Sequence, residues 1–204
     1  MMSHATRPHH AASPGARQPR IAVVLIGHGA PATDTPPQLV GELMSLEWRA
    51  HGPSGHAPGH SHGAPSGRAA ELDAMIRDWP RRADNDPYKA GLERLAGALR
   101  PLLPTSRFAL GYNEFCRPSI LEAIQQVIGQ GATRVIVLPT MLTPGGVHSE
   151  IDIPRTLQAV QHAHPGITIE YLWPYDLGEV AALLASHVER ATQHPMVHEP
   201  PRRA

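Results

Sequence analysis

Six consecutive apolar residues, Ile21-Ala22-Val23-Val24-Leu25-Ile26, rise out of a polar leader and stop abruptly at Gly27-His28-Gly29-Ala30-Pro31. A strand with one wet face alternates apolar and polar residues. An unbroken run belongs to a strand covered on both faces, the habit of parallel sheets. This feature already predicts helices on both sides of a sheet. Further along, residues 107–115 read as a strand and 118–130 as a helix, with Ser119 near its start and Gly131 just past its end. Residues 134–142 read as strand and 149–164 as helix, closed by Pro165-Gly166; 167–173 read as strand and 177–192 as helix. In the last helix Leu177, Val180, Leu184 and Val188 fall on one face.

Between the first and second strands the pattern is helical. Residues 38–49 carry Leu39, Val40, Leu43, Met44 and Leu46, and 69–79 form a second helix. After Asp86-Pro87, a third shows Leu92, Leu95, Leu99 and Leu102 as an apolar stripe, with Pro101 near its end. Four strands, each followed by helix, imply βαβ units with right-handed crossovers. The expected fold is α/β: a single-lobed three-layer sandwich on a four-stranded parallel sheet, without internal repeat.

Proline and histidine are abundant, but they cluster. Residues 1–20 read as a disordered leader, about 50–68 as a low-complexity His/Gly/Pro insertion within a domain spanning 21–192, and 193–204 as a disordered tail. Lys plus Arg balances Asp plus Glu at 18 each, which argues against nucleic acid as a partner. No stretch approaches the roughly 20 apolar residues of a membrane span. The leader lacks the apolar core of a secretory signal, so the cytoplasm is expected. The single cysteine, Cys116, cannot form an internal disulfide and reads as a small buried residue rather than a nucleophile.

In open parallel sheets, chemistry gathers beyond the carboxyl ends of the strands. The first strand delivers His28. The second delivers Asn113, Glu114, Cys116 and Arg117. The third delivers Thr140, Thr143, Gly145, Gly146, His148 and Glu150, and the fourth Tyr175 and Asp176. Two imidazoles and a carboxylate from separate strand ends suit first-row divalent ions, and the same groups accept protons near neutral pH. Taken singly, each has a plainer reading: His28 as a loop residue or cap, Gly145-Gly146 as a turn, Glu114 as a surface carboxylate. The glycines around His28 let the backbone approach a ligand closely.

Ile26-Gly27-His28-Gly29, Tyr112-Asn113-Glu114-Phe115-Cys116-Arg117-Pro118-Ser119 and Pro144-Gly145-Gly146-Val147-His148-Ser149-Glu150-Ile151-Asp152-Ile153-Pro154 together resemble the small sirohydrochlorin chelatases. These are class II chelatases of cobalamin and siroheme synthesis. The likeness covers about residues 21–31 and 86–192. It implies a chelatase-like half-domain in which His28 and His148 handle the metal, and Glu114 is the accessory acid. It implies a lyase that inserts cobalt, iron or nickel into sirohydrochlorin or a related acidic tetrapyrrole. The metal is then a substrate, and no permanent cofactor is needed. A single lobe implies a homodimer. Helix N-termini and Arg117 or Arg155 would meet the tetrapyrrole carboxylates. The chain departs from the family in the long insert containing Asp78-Trp79-Pro80, and in Pro174-Tyr175-Asp176-Leu177 where the family has His-Pro.

Two other readings stay open. One is a metal-delivery protein that uses the His-rich tract (His51, His56, His60, His62) without catalysing insertion. The other is an α/β enzyme on a different acidic ligand, with His28 as general base. The insert around Trp79 and Tyr88 is an alternative wall for the site, which would let a monomer work alone.

Overall fold

The computed structural model describes residues 18–51 and 67–193; most of the leader, residues 52–66 of the His-rich tract, and nearly all of the tail lie outside the described residues. The expectations for His56, His60 and His62 therefore fall outside it. The elements run β1 (Ile21–Gly27), α1 (Pro37–His51), α2 (Arg68–Arg77), α3 (Pro87–Leu99), β2 (Phe108–Tyr112), α4 (Ile120–Gly129), β3 (Arg134–Pro139), α5 (Ile153–Ala163), β4 (Thr168–Tyr171) and α6 (Leu177–Gln193). The four strands form one parallel sheet in the order β2-β1-β3-β4. No helix among the described residues is long and apolar enough to cross a membrane.

β1 is buried almost from end to end, as its unbroken apolar run requires. Ala22, Val24 and Ile26 face Ile120, Ile124 and Val127 of α4 and Ile153, Leu157 and Val160 of α5. Leu25 faces the opposite way, against Leu92 and Ala96 of α3. The two helix layers thus sandwich the sheet. α1 and α2 add a smaller cluster built on Leu43, Leu72 and Ile76, against which Phe115 packs.

Local chemistry sets the helix starts. Ser119 and Glu122 form a reciprocal capping box at α4: the Glu122 N–H donates to Ser119 Oγ (3.3 Å), and the Ser119 N–H to Glu122 Oε2 (2.6 Å). At α3 the Asp86 side chain accepts from the Lys89 N–H at 2.9 Å, with Pro87 at the first helical position.

Several expectations change. β2 ends at Tyr112 rather than at 115, because the chain leaves the sheet and Phe115 adopts φ 57°. β3 ends at Pro139 rather than 142, and β4 is confined to four residues. The α3 stripe is Leu92, Ala96 and Leu99. Leu95 is 51% exposed on the outer face of α3, and Leu102 is 79% exposed because the short 3-10 turn Arg100–Leu102, with Pro101 in it, takes it off the helix. α6 forms as the periodicity predicts, yet none of its residues is buried. Leu177, Leu184 and Val188 stand open, since no described element covers them.

Candidate metal-handling site

The strand order reverses direction at β1, with β2 on one side of it and β3 on the other. This is the switch point at which the chains leaving adjacent strands diverge and open a crevice. His28 leaves β1 directly. Asn113 and Glu114 follow β2, and their N–H groups donate to the carbonyls of Gly27 (2.9 Å) and His28 (2.8 Å). The β2 loop is thereby locked along the His28 segment.

Gly29 makes that approach possible. Its φ is +96°, and a Cβ there would overlap the carbonyl oxygen of Glu114. A Cβ on Gly27 would overlap the Leu92 side chain. The glycines flanking His28 therefore admit other parts of the same chain, whereas the sequence suggested that they admit a ligand.

His148 arrives from β3 through Gly145-Gly146 and opens a single π turn, His148–Asp152, that runs into α5. The wide turn has a chemical reason: Pro154 has no N–H to give to the Glu150 carbonyl, and its ring crowds that oxygen. Glu150 turns back to the loop, accepting from the Gly145 N–H at 2.6 Å.

The structure brings His28, Glu114 and His148 together. One ligand atom from each lies within 4.8 Å of the others. His28 Nε2 is 3.9 Å from Glu114 Oε2, and His148 Nε2 is 3.6 Å from Glu114 Oε1. The two rings meet edge to face, 4.7 Å between centroids at 82°. All three side chains are partly open to solvent: 41% for His28, 32% for Glu114 and 25% for His148. Behind the site, His28 Nδ1 is 2.8 Å from the Gly29 carbonyl, and His148 Nδ1 is 2.7 Å from Asp152 Oδ2 and 2.9 Å from the Asn113 side-chain amide. The hydrogen bond to Asp152, joined by the negative charges of Glu114 and Asp152, holds the His148 imidazole above its usual pKa against the opposing effect of burial.

The insert braces the loops from beneath. Arg81 is 9% exposed and pairs with Asp86 at 2.7 Å, and its guanidinium also donates to the carbonyls of Ala30, Ile76 and Phe115. Arg77 donates to the carbonyls of Asn113 and Cys116. Cys116 is fully buried, and burial pushes its thiol pKa up. Trp79 donates to Asp34 at 2.9 Å, while the Tyr88 hydroxyl accepts from the His28 N–H at 2.7 Å. Both aromatics thus support the site loops.

The remaining candidates stay apart from the trio. Arg117 is paired with Asp78 and Glu122. Arg155 is exposed on α5 and makes no ion pair among the described residues. The Tyr175 hydroxyl donates to the Pro139 carbonyl (2.6 Å), and Asp176 accepts from the N–H groups of Gly178 and Glu179 at the start of α6. Sequence reasoning assigned no part to Asp152, Arg77 or Arg81. For Asp152 the signal was present, four residues after His148 on a helical segment.

Comparison with known proteins supplies the family. The chain is 42% identical over 55 residues to the sirohydrochlorin cobaltochelatase of Methanocaldococcus jannaschii, a stretch covering 27% of this chain and 38% of that protein. It is 32% identical over 66 residues to a sirohydrochlorin ferrochelatase of Priestia megaterium, 32% of this chain and 24% of that one. The chain thus matches well under half the length of these curated relatives. A solved structure, the sirohydrochlorin chelatase SirB from Bacillus subtilis subspecies spizizenii in complex with cobalt, aligns over 84% of this chain and 51% of that chain, with 16% identity and a TM-score of 0.45. The family model described as CbiX matches residues 83–194, more than half of the chain, including Glu114 and His148; His28 precedes the match and joins them through the fold. The chain belongs to the CbiX family.

Proposed function

We propose that this protein inserts a divalent metal into sirohydrochlorin or a closely related acidic tetrapyrrole. The observation that carries the reading is the convergence of His28, Glu114 and His148 at the switch point of the sheet. Membership of the CbiX family and the chelatase names of the relatives support it.

Insertion releases two pyrrole protons for each ion that enters the ring. Neutral imidazole has one free lone pair, which can bind the ion or a proton but not both. His28 and His148 therefore take the ion on their Nε2 atoms. As it passes to the ring nitrogens, the freed lone pairs accept the pyrrole protons, and the Glu114 carboxylate, 3.6 and 3.9 Å from the two Nε2 atoms, accepts or relays them. Cobalt, iron and nickel all suit imidazole and carboxylate. The ion is a substrate, so the reaction needs no permanent cofactor.

The trio is partly open to solvent, and the macrocycle needs a second wall to exclude water. We assign that wall to a second copy of the chain, a reading supported by the exposed Leu177, Leu184 and Val188 of α6. Arg155, exposed and without an ion pair among the described residues, is better suited to a tetrapyrrole carboxylate than the doubly paired Arg117. A lone buried thiol fits the cytoplasm. The test is an insertion assay with purified protein, sirohydrochlorin, and Co²⁺, Fe²⁺ and Ni²⁺ in parallel, read from the visible bands of the macrocycle. No acceleration over the protein-free control with any of the three ions would refute the proposal.

A further inference from the structure

We infer that Asp152 is the positioning residue of His148: it keeps the ring proton on Nδ1 and so presents an unprotonated Nε2 to the incoming ion. The inference rests on the metal-handling reading of the trio and adds to it a residue outside the trio. Three observations lead to it. Asp152 Oδ2 stands 2.7 Å from His148 Nδ1. An ionised carboxylate can only accept, so in the neutral ring the proton must sit on Nδ1 and the lone pair on Nε2. Nε2 is the nitrogen that faces Glu114, at 3.6 Å.

Asn113 completes the arrangement. Its side-chain amide approaches the same Nδ1 at 2.9 Å. The amide nitrogen Nδ2 is the atom placed there; a proton on Nδ1 requires the amide to turn over and present its oxygen, an orientation assigned from the hydrogen-bond network. His148 is then held from its own π turn by Asp152 and from the β2 loop by Asn113. The π turn carries both residues, four positions apart, and brings the Asp152 carboxylate to the His148 ring. His28 reaches the same state by a different route, with Nδ1 directed at the Gly29 carbonyl at 2.8 Å. Both rings therefore offer Nε2 to one point. Only the His148 anchor is a side chain, and only it can be removed by substitution. Carboxylate partners of this kind fix ring orientation at metal-binding histidines and raise ligand basicity.

The experiment is long-range ¹H–¹⁵N correlation of the imidazole rings in the full-length protein at about pH 9, above the imidazole range. His148 is assigned by difference from His148→Ala. A Co²⁺ titration, read from the visible absorption of the bound ion, runs alongside. The expected result is an Nδ1–H His148 in the wild type and a shift toward Nε2–H in Asp152→Ala. Co²⁺ affinity should fall about 10- to 100-fold in Asp152→Ala. Asp152→Asn, whose amide oxygen still accepts, should recover the Nδ1–H form and much of the affinity. An Nε2–H His148 in the wild type overturns the inference, whatever the variants do. So does an unchanged tautomer and Co²⁺ affinity in Asp152→Ala. Wild-type protein that shows the Nδ1–H ring and binds Co²⁺, yet never inserts it into sirohydrochlorin, overturns the chelatase reading alone.

Discussion

The carbonyl oxygen of Glu114 occupies the space where a side chain on Gly29 would begin, and Gly29 itself holds φ at +96°. The loops that carry His28 and Glu114 can lie against each other only because one residue lacks a Cβ. Gly29→Ala should therefore cost at least about 1–3 kcal/mol from the backbone conformation alone. It should also push Glu114 out of reach of the two imidazoles. Chemical denaturation and a Co²⁺ titration on the same variant check both halves. Wild-type stability together with wild-type Co²⁺ affinity would show that the contact is not needed.

Arg81 makes a stability prediction. Its partner Asp86 is 1% exposed, so truncating Arg81 leaves a buried carboxylate without its cation. Loss of one member of such a pair costs about 3–5 kcal/mol. Arg81→Ala should lower the unfolding free energy by that order. It should also loosen the site, because the same guanidinium holds the Ala30 and Phe115 carbonyls. Denaturant midpoints measure the first effect, and amide exchange at residues 28–31 and 113–116 measures the second.

These two relationships show where sequence reading stops. The unbroken run at Ile21–Ile26 and the alternation of strands and helices made the parallel sheet legible, because burial on both faces leaves a mark on every residue. Placing His28 and His148 beyond strand ends required only the strand boundaries and the rule that chemistry gathers there, whereas Glu114 fell inside the strand as read at 107–115 and enters the loop only because β2 ends at Tyr112. Arg81 was illegible. It reaches Ala30 and Phe115, 51 and 34 positions away, and no local pattern marks such a pairing. The α6 stripe was read correctly as periodic, but periodicity says only that a face is apolar, not that anything covers it. For Gly29 the need for close approach was legible, but the neighbour was not.

The pH dependence follows from His148. Its pKa is raised by Asp152, with Glu114 adding to the effect, so the free lone pair on Nε2 appears only above the ordinary imidazole value of about 6.5. Metal binding and insertion should fall as pH drops through a window above that value. Asp152→Ala should move the midpoint of this acid limb to lower pH, because the carboxylate that favours the charged ring is gone. Stability runs the other way. A raised folded-state pKa contributes stabilisation that is full below about 6.5 and is lost as pH rises through the folded value. Rate–pH and denaturation–pH profiles of the two proteins test both signs, and superimposable acid limbs would contradict the assignment.

Assembly is checked by sedimentation at working concentration. A homodimer is expected, and charged substitutions at Leu184 and Val188 should dissociate it without unfolding the sheet, since neither side chain is buried within the chain. A fully active monomer would remove the second copy from the account.

The most direct test compares wild type, His28→Ala, His148→Ala and Glu114→Gln in the cobalt insertion assay with sirohydrochlorin. Both histidines lie outside the packed core, so thermal unfolding should hardly change. The account predicts that wild type accelerates insertion, that each histidine variant loses at least about 100-fold, and that Glu114→Gln loses less. Wild-type rates in either histidine variant, or no acceleration by the wild type itself, would contradict it.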